Sequence, residues 1–159
     1  MEFALISTLF FPMLFGMLDY GLWFADSLSA RSAVRDGVRK AVVQSNVSTA
    51  CDLSTFNYLE KLRCDVRANV GPMSGAAYVK VTTGADGWVK GKPLVICAMI
   101  KSDGVTGLAP LPGSGVISSR TEMSIEVDTV KPSGATGTGV QSSQDTLPSG
   151  FGKDWSWCV

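Results

Sequence analysis

The first feature of this chain is an apolar run too long for the interior of a small domain. Residues 3–18 contain only two hydroxyl side chains as polar groups, and a continuation to Phe24 admits one charge, Asp19. About 20 such residues form roughly 30 Å of helix, which is the thickness of the hydrocarbon core of a bilayer. Tyr20 and Trp23 then lie where an interfacial aromatic belt is expected. The run therefore predicts a membrane-spanning helix.

A cleaved secretory signal peptide is the alternative interpretation of the same run. Such a peptide has a basic start, a shorter apolar stretch and a cleavage site of small residues. Met1-Glu2 supplies no basic start, and the only cleavage signal, Ser27-Leu28-Ser29-Ala30, is weak. We therefore favour an anchor that is retained.

The helical pattern continues beyond the apolar run. From Ala25 to Gln44 there is no proline and only one glycine, and the whole element from Phe3 to Gln44 would be about 60 Å long. Pro12 lies inside it and favours a kink or a locally melted turn, although transmembrane helices often tolerate proline.

Two opposite faces are expected on the second half of this helix. Arg31, Arg35 and Arg39 recur every four residues and form a charged stripe. The other side is apolar or small: Ala30, Ala33, Val34, Gly37, Val38, Ala41 and Val42. Within that side, three small residues at four-residue spacing predict close packing against another helix, and these are Ala33, Gly37 and Ala41.

The remaining sequence predicts a small β-rich unit, so the expected fold class is α+β with a small antiparallel sheet. A short helix is expected over Ser54–Arg67 with Ser54 as its N-cap. Strands are predicted for Ala76–Thr83, for Trp88-Val89 followed by Leu94–Ile100, and for the alternating segment Thr121–Val130. Residues 103–119 and 132–152 are rich in Gly, Ser, Thr and Pro and are expected to be loops. The predicted division is a helical segment at 1–45 and a globular domain at 46–159.

The four cysteines indicate an oxidising compartment. Their spacing is too irregular for the paired ligands of a structural zinc site, although four buried free thiols stay an alternative. Of three possible connectivities, we prefer Cys51–Cys64, which closes a short local loop, and Cys97–Cys158, which ties the Trp-rich C-terminal tail to the second strand.

Composition argues against several classes of function. The net charge is zero and charged residues are 18% of the chain, so no basic face for nucleic acid is indicated. Histidine is absent, which removes the commonest general base and metal ligand. No catalytic constellation, cofactor motif or metal site is found, and we expect a protein that is not an enzyme and uses no cofactor.

The N-terminal residues resemble a known family. The matching residues are Glu2-Phe3-Ala4-Leu5, Gly16, Asp19-Tyr20-Gly21, Arg35-Asp36-Gly37-Val38-Arg39 and Ala41. In order and spacing this segment resembles the TadE-like family, the pilin-like minor subunits of the tight-adherence (Flp, type IVb-like) pilus system. The family usually has a proline where this chain has Thr8, and here the proline is Pro12.

The resemblance implies a structural subunit of a Tad-type pilus. Expected partners are other pilin-like subunits, the membrane, the pilus assembly machinery and a prepilin peptidase that removes a basic leader. The C-terminal domain is expected outside the cytoplasmic membrane, and at the cell surface after assembly. The basic residues after the span, Arg31 to Lys40, taken alone predict the opposite orientation. The cysteines and the family favour export, and an upstream basic leader would reconcile the two.

Seven residues are predicted to contribute to subunit packing: Glu2, Phe3, Gly16, Asp19, Ala33, Gly37 and Ala41. For Glu2 the resemblance implies pairing with the N-terminal amine of a neighbouring subunit, and the alternative is a carboxylate in the headgroup region. Asp19 either pairs with Arg31 or Arg35 of another subunit or is an interfacial carboxylate in contact with water, which we prefer. The rival function is a bitopic envelope protein whose exported domain binds a partner without polymerising.

Overall fold

The computed structural model describes residues 2–45, 49–52, 55–73, 75–107, 110–127 and 139–159. The elements in chain order are helix α1 (Glu2–Val42), a 3-10 turn (Thr49–Cys51), helix α2 (Tyr58–Val70), strands β1 (Gly75–Thr83) and β2 (Pro93–Ser102), a second 3-10 turn (Pro112–Gly115), and strands β3 (Val116–Ser124) and β4 (Ser142–Gln144). The strands form one antiparallel sheet in the order β3-β2-β1-β4. The predicted α+β fold, with a long N-terminal helix and a small antiparallel sheet, is confirmed.

Strand β2 is covered on both faces, which explains why its sequence is apolar without alternation. Its even-numbered residues join a core formed with α1 and α2: Leu94, Ile96, Ala98 and Ile100. Its odd-numbered residues join a second cluster with the C-terminal tail: Val95, Cys97 and Met99, together with Phe151, Trp155 and Cys158. The sheet is therefore sandwiched between the two helices and the tail.

The second half of α1 belongs to the main core. Ala30, Val34, Val38 and Ala41 are fully buried there, against residues of α2 and the sheet. The core therefore extends across the expected boundary at residues 45 and 46, and the β-rich unit has no complete core without α1.

Helix α2 begins later than predicted because a different residue caps it. Asn57 accepts a hydrogen bond from the Glu60 backbone N–H at 3.0 Å, and the Asn57 N–H donates to the Glu60 carboxylate at 2.9 Å. This reciprocal capping box satisfies two backbone donors at the start of the helix. The predicted N-cap, Ser54, lies outside the described residues.

Strand β3 begins and ends earlier than predicted. It runs over Val116–Ser124, although the serines before Thr121 suggested a loop. After Ser124 the chain turns to α1, where the N–H groups of Glu126 and Val127 donate to the Val42 carbonyl at 3.2 and 3.3 Å. These bonds satisfy a carbonyl at the helix C-terminus, and Ile125 is buried in the core. The alternation at 121–127 thus reflects burial rather than a longer strand, and residues 128–130 of the prediction lie outside the described part.

Strand β4 lies within a segment that was predicted to be a loop. Ser142–Gln144 pairs with Lys80–Thr82 of β1, and the next residue, Asp145, donates its N–H to the Val79 carbonyl at 3.0 Å. The segment has no apolar alternation, so the backbone pairing with β1 is what makes it a strand.

Candidate assembly surface on the N-terminal helix

The first part of α1 is an apolar rod that stands clear of the folded domain. Phe3 is 82% exposed and Leu9 is 78% exposed. The exposed large apolar side chains before Asp19 are Phe3, Ile6, Leu9, Phe10, Phe11, Met13, Leu14, Met17 and Leu18. α1 is long and apolar enough to cross a membrane, and the helix continues through Pro12. We refer to residues 3–18 as the apolar rod.

From Asp19 onwards one side of α1 faces the domain and the other side stays open. On the open side Tyr20, Phe24 and Leu28 are exposed apolar residues, and the arginine stripe follows them. Asp36 pairs with Lys40 at 2.8 Å, whereas the three arginines of the stripe form no ion pair with any residue in the described ranges. The apolar surface available to a partner thus continues from the rod along one side of the domain-bound half.

Asp19 marks the residue where the domain begins to cover the helix. Its side chain is 1% exposed and accepts hydrogen bonds from the N–H groups of Val105 and Thr106 at 2.9 and 3.1 Å, and from the Thr106 hydroxyl. Donors from the loop between β2 and β3 therefore satisfy the carboxylate. The preferred interpretation, a carboxylate in contact with water, does not fit this burial, whereas pairing with Arg31 or Arg35 of another subunit stays a prediction.

The predicted aromatic belt is also changed by the domain. Trp23 is partly buried and packs against the core, so protein covers part of a side chain that was predicted to lie in the belt. The Tyr20 hydroxyl donates to the Pro110 carbonyl at 2.9 Å, while the residue as a whole stays exposed. On the domain side the apolar run consequently ends at Leu18, after about 25 Å of helix rather than the expected 30 Å.

Asp26 is a second buried carboxylate, and it was not predicted from the sequence. It is fully buried and accepts a hydrogen bond from the Met73 N–H at 2.7 Å. Nearby, the Ser29 hydroxyl donates to the Val70 carbonyl, at the C-terminus of α2. Asp19 and Asp26 are seven residues apart, which is two helical turns, so both lie on the domain side. This spacing was the available signal.

The row of Ala33, Gly37 and Ala41 does mediate close helix packing, but within the chain. All three are buried, and a Cβ atom added to Gly37 would collide with Cγ2 of Val66 on α2. Within the chain this side of α1 faces α2, and a role of the three residues in packing between subunits stays a prediction.

Three predicted packing residues lie on the part of α1 before Asp19. Phe3 is exposed, and a Cβ added to Gly16 would meet nothing within 4 Å beyond the nearby backbone of α1, so the described part of the domain covers neither residue. The backbone of Glu2 is helical, but its side chain lies outside the described part. Its pairing with a neighbouring amine stays a prediction.

The cysteines pair as preferred from the sequence. Cys51 is bonded to Cys64, and Cys97 to Cys158, with Cα atoms 5.7 and 6.1 Å apart. The first bond joins the segment before α2 to that helix. The second fixes the C-terminal tail against β2, where Trp155 donates its indole N–H to the Asp145 carbonyl at 3.1 Å.

Asp145 joins four parts of the domain. One carboxylate oxygen lies 3.3 Å from Arg63 Nε and 3.5 Å from a terminal nitrogen of Arg67, both on α2. The other oxygen accepts the Val79 N–H of β1 at 3.0 Å. These contacts fix β4 and the tail to the helix layer. Within the described ranges, no group of three or more acidic, Cys or His side chains could hold a metal ion.

The similarity to known proteins lies in the N-terminal helix. A search of curated proteins and a search of solved structures return no match. A family model described as TadE-like protein matches residues 1–39, which include the apolar rod and most of the domain-bound half of α1. The resemblance seen in the N-terminal residues is therefore confirmed over residues 1–39.

Proposed function

We propose that this chain is a structural, pilin-like subunit for assembly of a bacterial Tad-type pilus, and that it packs against neighbouring subunits through its N-terminal helix. The observation that carries this proposal is the division of α1 at Asp19. Before that residue large apolar side chains are exposed, and after it one side is fixed to the domain. The TadE-like match covers the same segment.

The exposed apolar rod must be shielded from water. Its apolar side chains extend around the helix, and such a helix is stable only inside a membrane or among other apolar helices. Before assembly the rod would lie in the membrane, which would hold a pool of subunits. In a filament, helices of neighbouring subunits would replace the lipid. Apolar area stays out of water in both states, so the exchange can be nearly balanced.

Gly16 is the point on the rod where another helix can approach most closely. Apart from its two chain neighbours and the nearby backbone of α1, no atom in the described part of the chain lies within 4 Å of its missing Cβ. Small residues let helix backbones approach, which strengthens dispersion contacts where the hydrophobic effect cannot distinguish protein from lipid. The next uncovered glycine, Gly21, extends this accessible backbone towards the domain.

The test is substitution of Gly16 with measurement of assembly. The Cβ that Gly16→Leu adds meets nothing within 4 Å beyond the nearby backbone of α1 in the described residues, so folding and membrane retention should be unchanged. Incorporation into filaments sheared from cells should fall. Met17→Leu is the matched control, because it keeps volume and apolarity at the adjacent exposed position.

Two results would overturn the proposal. One is absence of the wild-type chain from sheared filaments together with normal piliation after its deletion. The other is equal incorporation of the Gly16→Leu and Met17→Leu variants, which would rule out packing of neighbouring helices at Gly16. The first result would favour the rival, a bitopic envelope protein that binds a partner without polymerising.

A further inference from the structure

The loop between β2 and β3 is attached to α1 where the apolar rod ends. Asp19 directly follows Leu18 and accepts hydrogen bonds from the N–H groups of Val105 and Thr106. Gly104 lies against the same carboxylate, since a Cβ added there would be 3.5 Å from the Asp19 carboxyl carbon. The depth of this loop along the helix axis is thereby tied to the end of the rod.

A second attachment holds the far end of the loop at the same level. The Tyr20 hydroxyl donates to the Pro110 carbonyl at 2.9 Å, one residue along the helix from Asp19. Because α1 rises about 1.5 Å per residue, the Cα atoms of the two anchoring residues differ little in depth. The loop therefore lies beside the helix at its exit from the rod.

The side chain at the tip of this loop is apolar and open. Val105 is 67% exposed although its backbone N–H is fixed to Asp19. The flanking charges, Lys101 and Asp103, lie 3.9 Å apart and can remain in a polar environment. The loop thus combines an exposed apolar tip with a satisfied backbone and a mixed-charge base.

We propose that residues 103–107 rest in the headgroup region of the phospholipid bilayer, with the Val105 side chain directed to the acyl boundary. The inference rests on the proposed membrane insertion of the apolar rod. If Leu18 ends the hydrocarbon segment, hydrogen bonds to the next residue place the loop within about 5 Å of that level. The interfacial layer on each side of the core is about 5–8 Å thick, so the loop lies within it.

The membrane would then hold the domain at two points, the helix and the loop. A single helix leaves a domain free to tilt and rotate, whereas a second contact restricts both motions. The open side of α1, with Phe24 and Leu28, would consequently be presented to neighbouring helices in a defined orientation. Lipid is the occupant that continues the environment of the rod directly below the loop.

Photo-crosslinking to lipid tests this contact in the full chain. Benzoylphenylalanine is introduced separately at Val105, at Leu14 within the rod, and at Val140, an exposed valine elsewhere on the domain. Each variant is reconstituted in vesicles of phosphatidylethanolamine and phosphatidylglycerol, and its disulfides are checked by non-reducing electrophoresis. Lipid adducts are then quantified by mass spectrometry after irradiation.

The expected result is strong labelling at Leu14, labelling at Val105 several-fold above Val140, and little at Val140. Labelling at Leu14 with Val105 at the Val140 level would overturn the loop contact and leave membrane insertion intact. Crosslinks from Val105 to a second protein copy in place of lipid would also overturn it. Absence of lipid adducts at Leu14 would instead refute membrane insertion of the apolar rod, and this inference with it.

Discussion

The backbone N–H of Thr106 donates to the Asp19 carboxylate at 3.1 Å, across 87 residues of sequence. The contact joins the helix and the β2–β3 loop at the place where the environment of α1 changes. Before Asp19 large apolar side chains are exposed, and after it one side of α1 is part of the core. Removing this contact is the most direct perturbation of the arrangement.

Asp19→Ala should release the loop from the helix. The substitution removes the acceptor of the Val105 and Thr106 N–H groups and of the Thr106 hydroxyl, so these hydrogen bonds between the loop and α1 are lost. Asp19→Asn is the matched control, because its amide keeps one acceptor oxygen and should cost less. Amide hydrogen exchange at Val105 and Thr106, measured in detergent micelles, should accelerate most in the alanine variant. Unchanged exchange at these two amides would contradict the anchoring role.

Gly37→Ala should destabilise the domain, although alanine favours helices. The added methyl group collides with the buried side chain of Val66, and overpacking of this kind costs about 1–3 kcal/mol. Chemical denaturation followed by tryptophan fluorescence measures the change. The double variant Gly37→Ala with Val66→Ala should recover part of the loss, because the colliding atoms are removed.

Gly21→Ala is the matched control for that experiment. Its Cβ meets nothing within 4 Å, so helix propensity alone should raise stability by up to about 1 kcal/mol. If both glycine variants shifted stability in the same direction, the contact between α1 and α2 would not explain the requirement at Gly37.

Tyr58 should make stability fall at high pH. Its ring packs edge-on against Trp88, its hydroxyl is buried without a partner in the described part of the chain, and burial raises its pKa to about 12. The folded state therefore favours the neutral phenol. This contribution is intact below the unfolded pKa of about 10 and is lost as the pH rises towards 12.

Tyr58→Phe removes both the buried hydroxyl and its titration. At neutral pH the variant should be at least as stable as wild type, with a gain on the order of 1 kcal/mol. Absorbance at 295 nm should show one fewer late-titrating tyrosine. An equal dependence of stability on pH above 10 in both proteins would show that another group is responsible.

Loss of the Cys97–Cys158 bond should cost more than loss of Cys51–Cys64. The first joins residues 61 apart and the second joins residues 13 apart. In the chain-entropy model these loops correspond to about 4 and about 3 kcal/mol. Paired Cys→Ala variants compared by denaturation measure the difference, and only the first pair should also expose the Trp155 ring to aqueous quenchers.

Glu2→Ala should leave the chain in the membrane but lower its incorporation into filaments. The resemblance implies that this carboxylate pairs with the N-terminal amine of a neighbouring subunit, and removing it leaves that amine unpaired in an apolar environment. Glu2→Gln is the matched variant, because it removes the negative charge and keeps the size of the side chain. Subunit content of sheared filaments is the measurement, and normal incorporation of both variants would rule out the pairing.

Residues near in sequence carried enough information for several features. The helix from Phe3, strand β1 and the buried face at Ala30 to Val42 followed from local pattern, and the preferred cysteine pairings are also confirmed. Helical and strand periodicity arise from the geometry of a single segment, so they can be recognised before its neighbours are known. The TadE-like resemblance is likewise contained in one segment.

Contacts between distant segments decided the rest, because no local pattern states which partner will cover a side chain. The sequence shows that Asp19 is a carboxylate but not what it contacts. Only the fold brings the N–H groups of Val105 and Thr106 to it as donors. The row of small residues around Gly37 predicts close helix packing, but only the fold shows that Val66 of α2 lies against Gly37. Strand β4 has no apolar alternation and exists through backbone pairing with β1, a long-range interaction that composition does not encode.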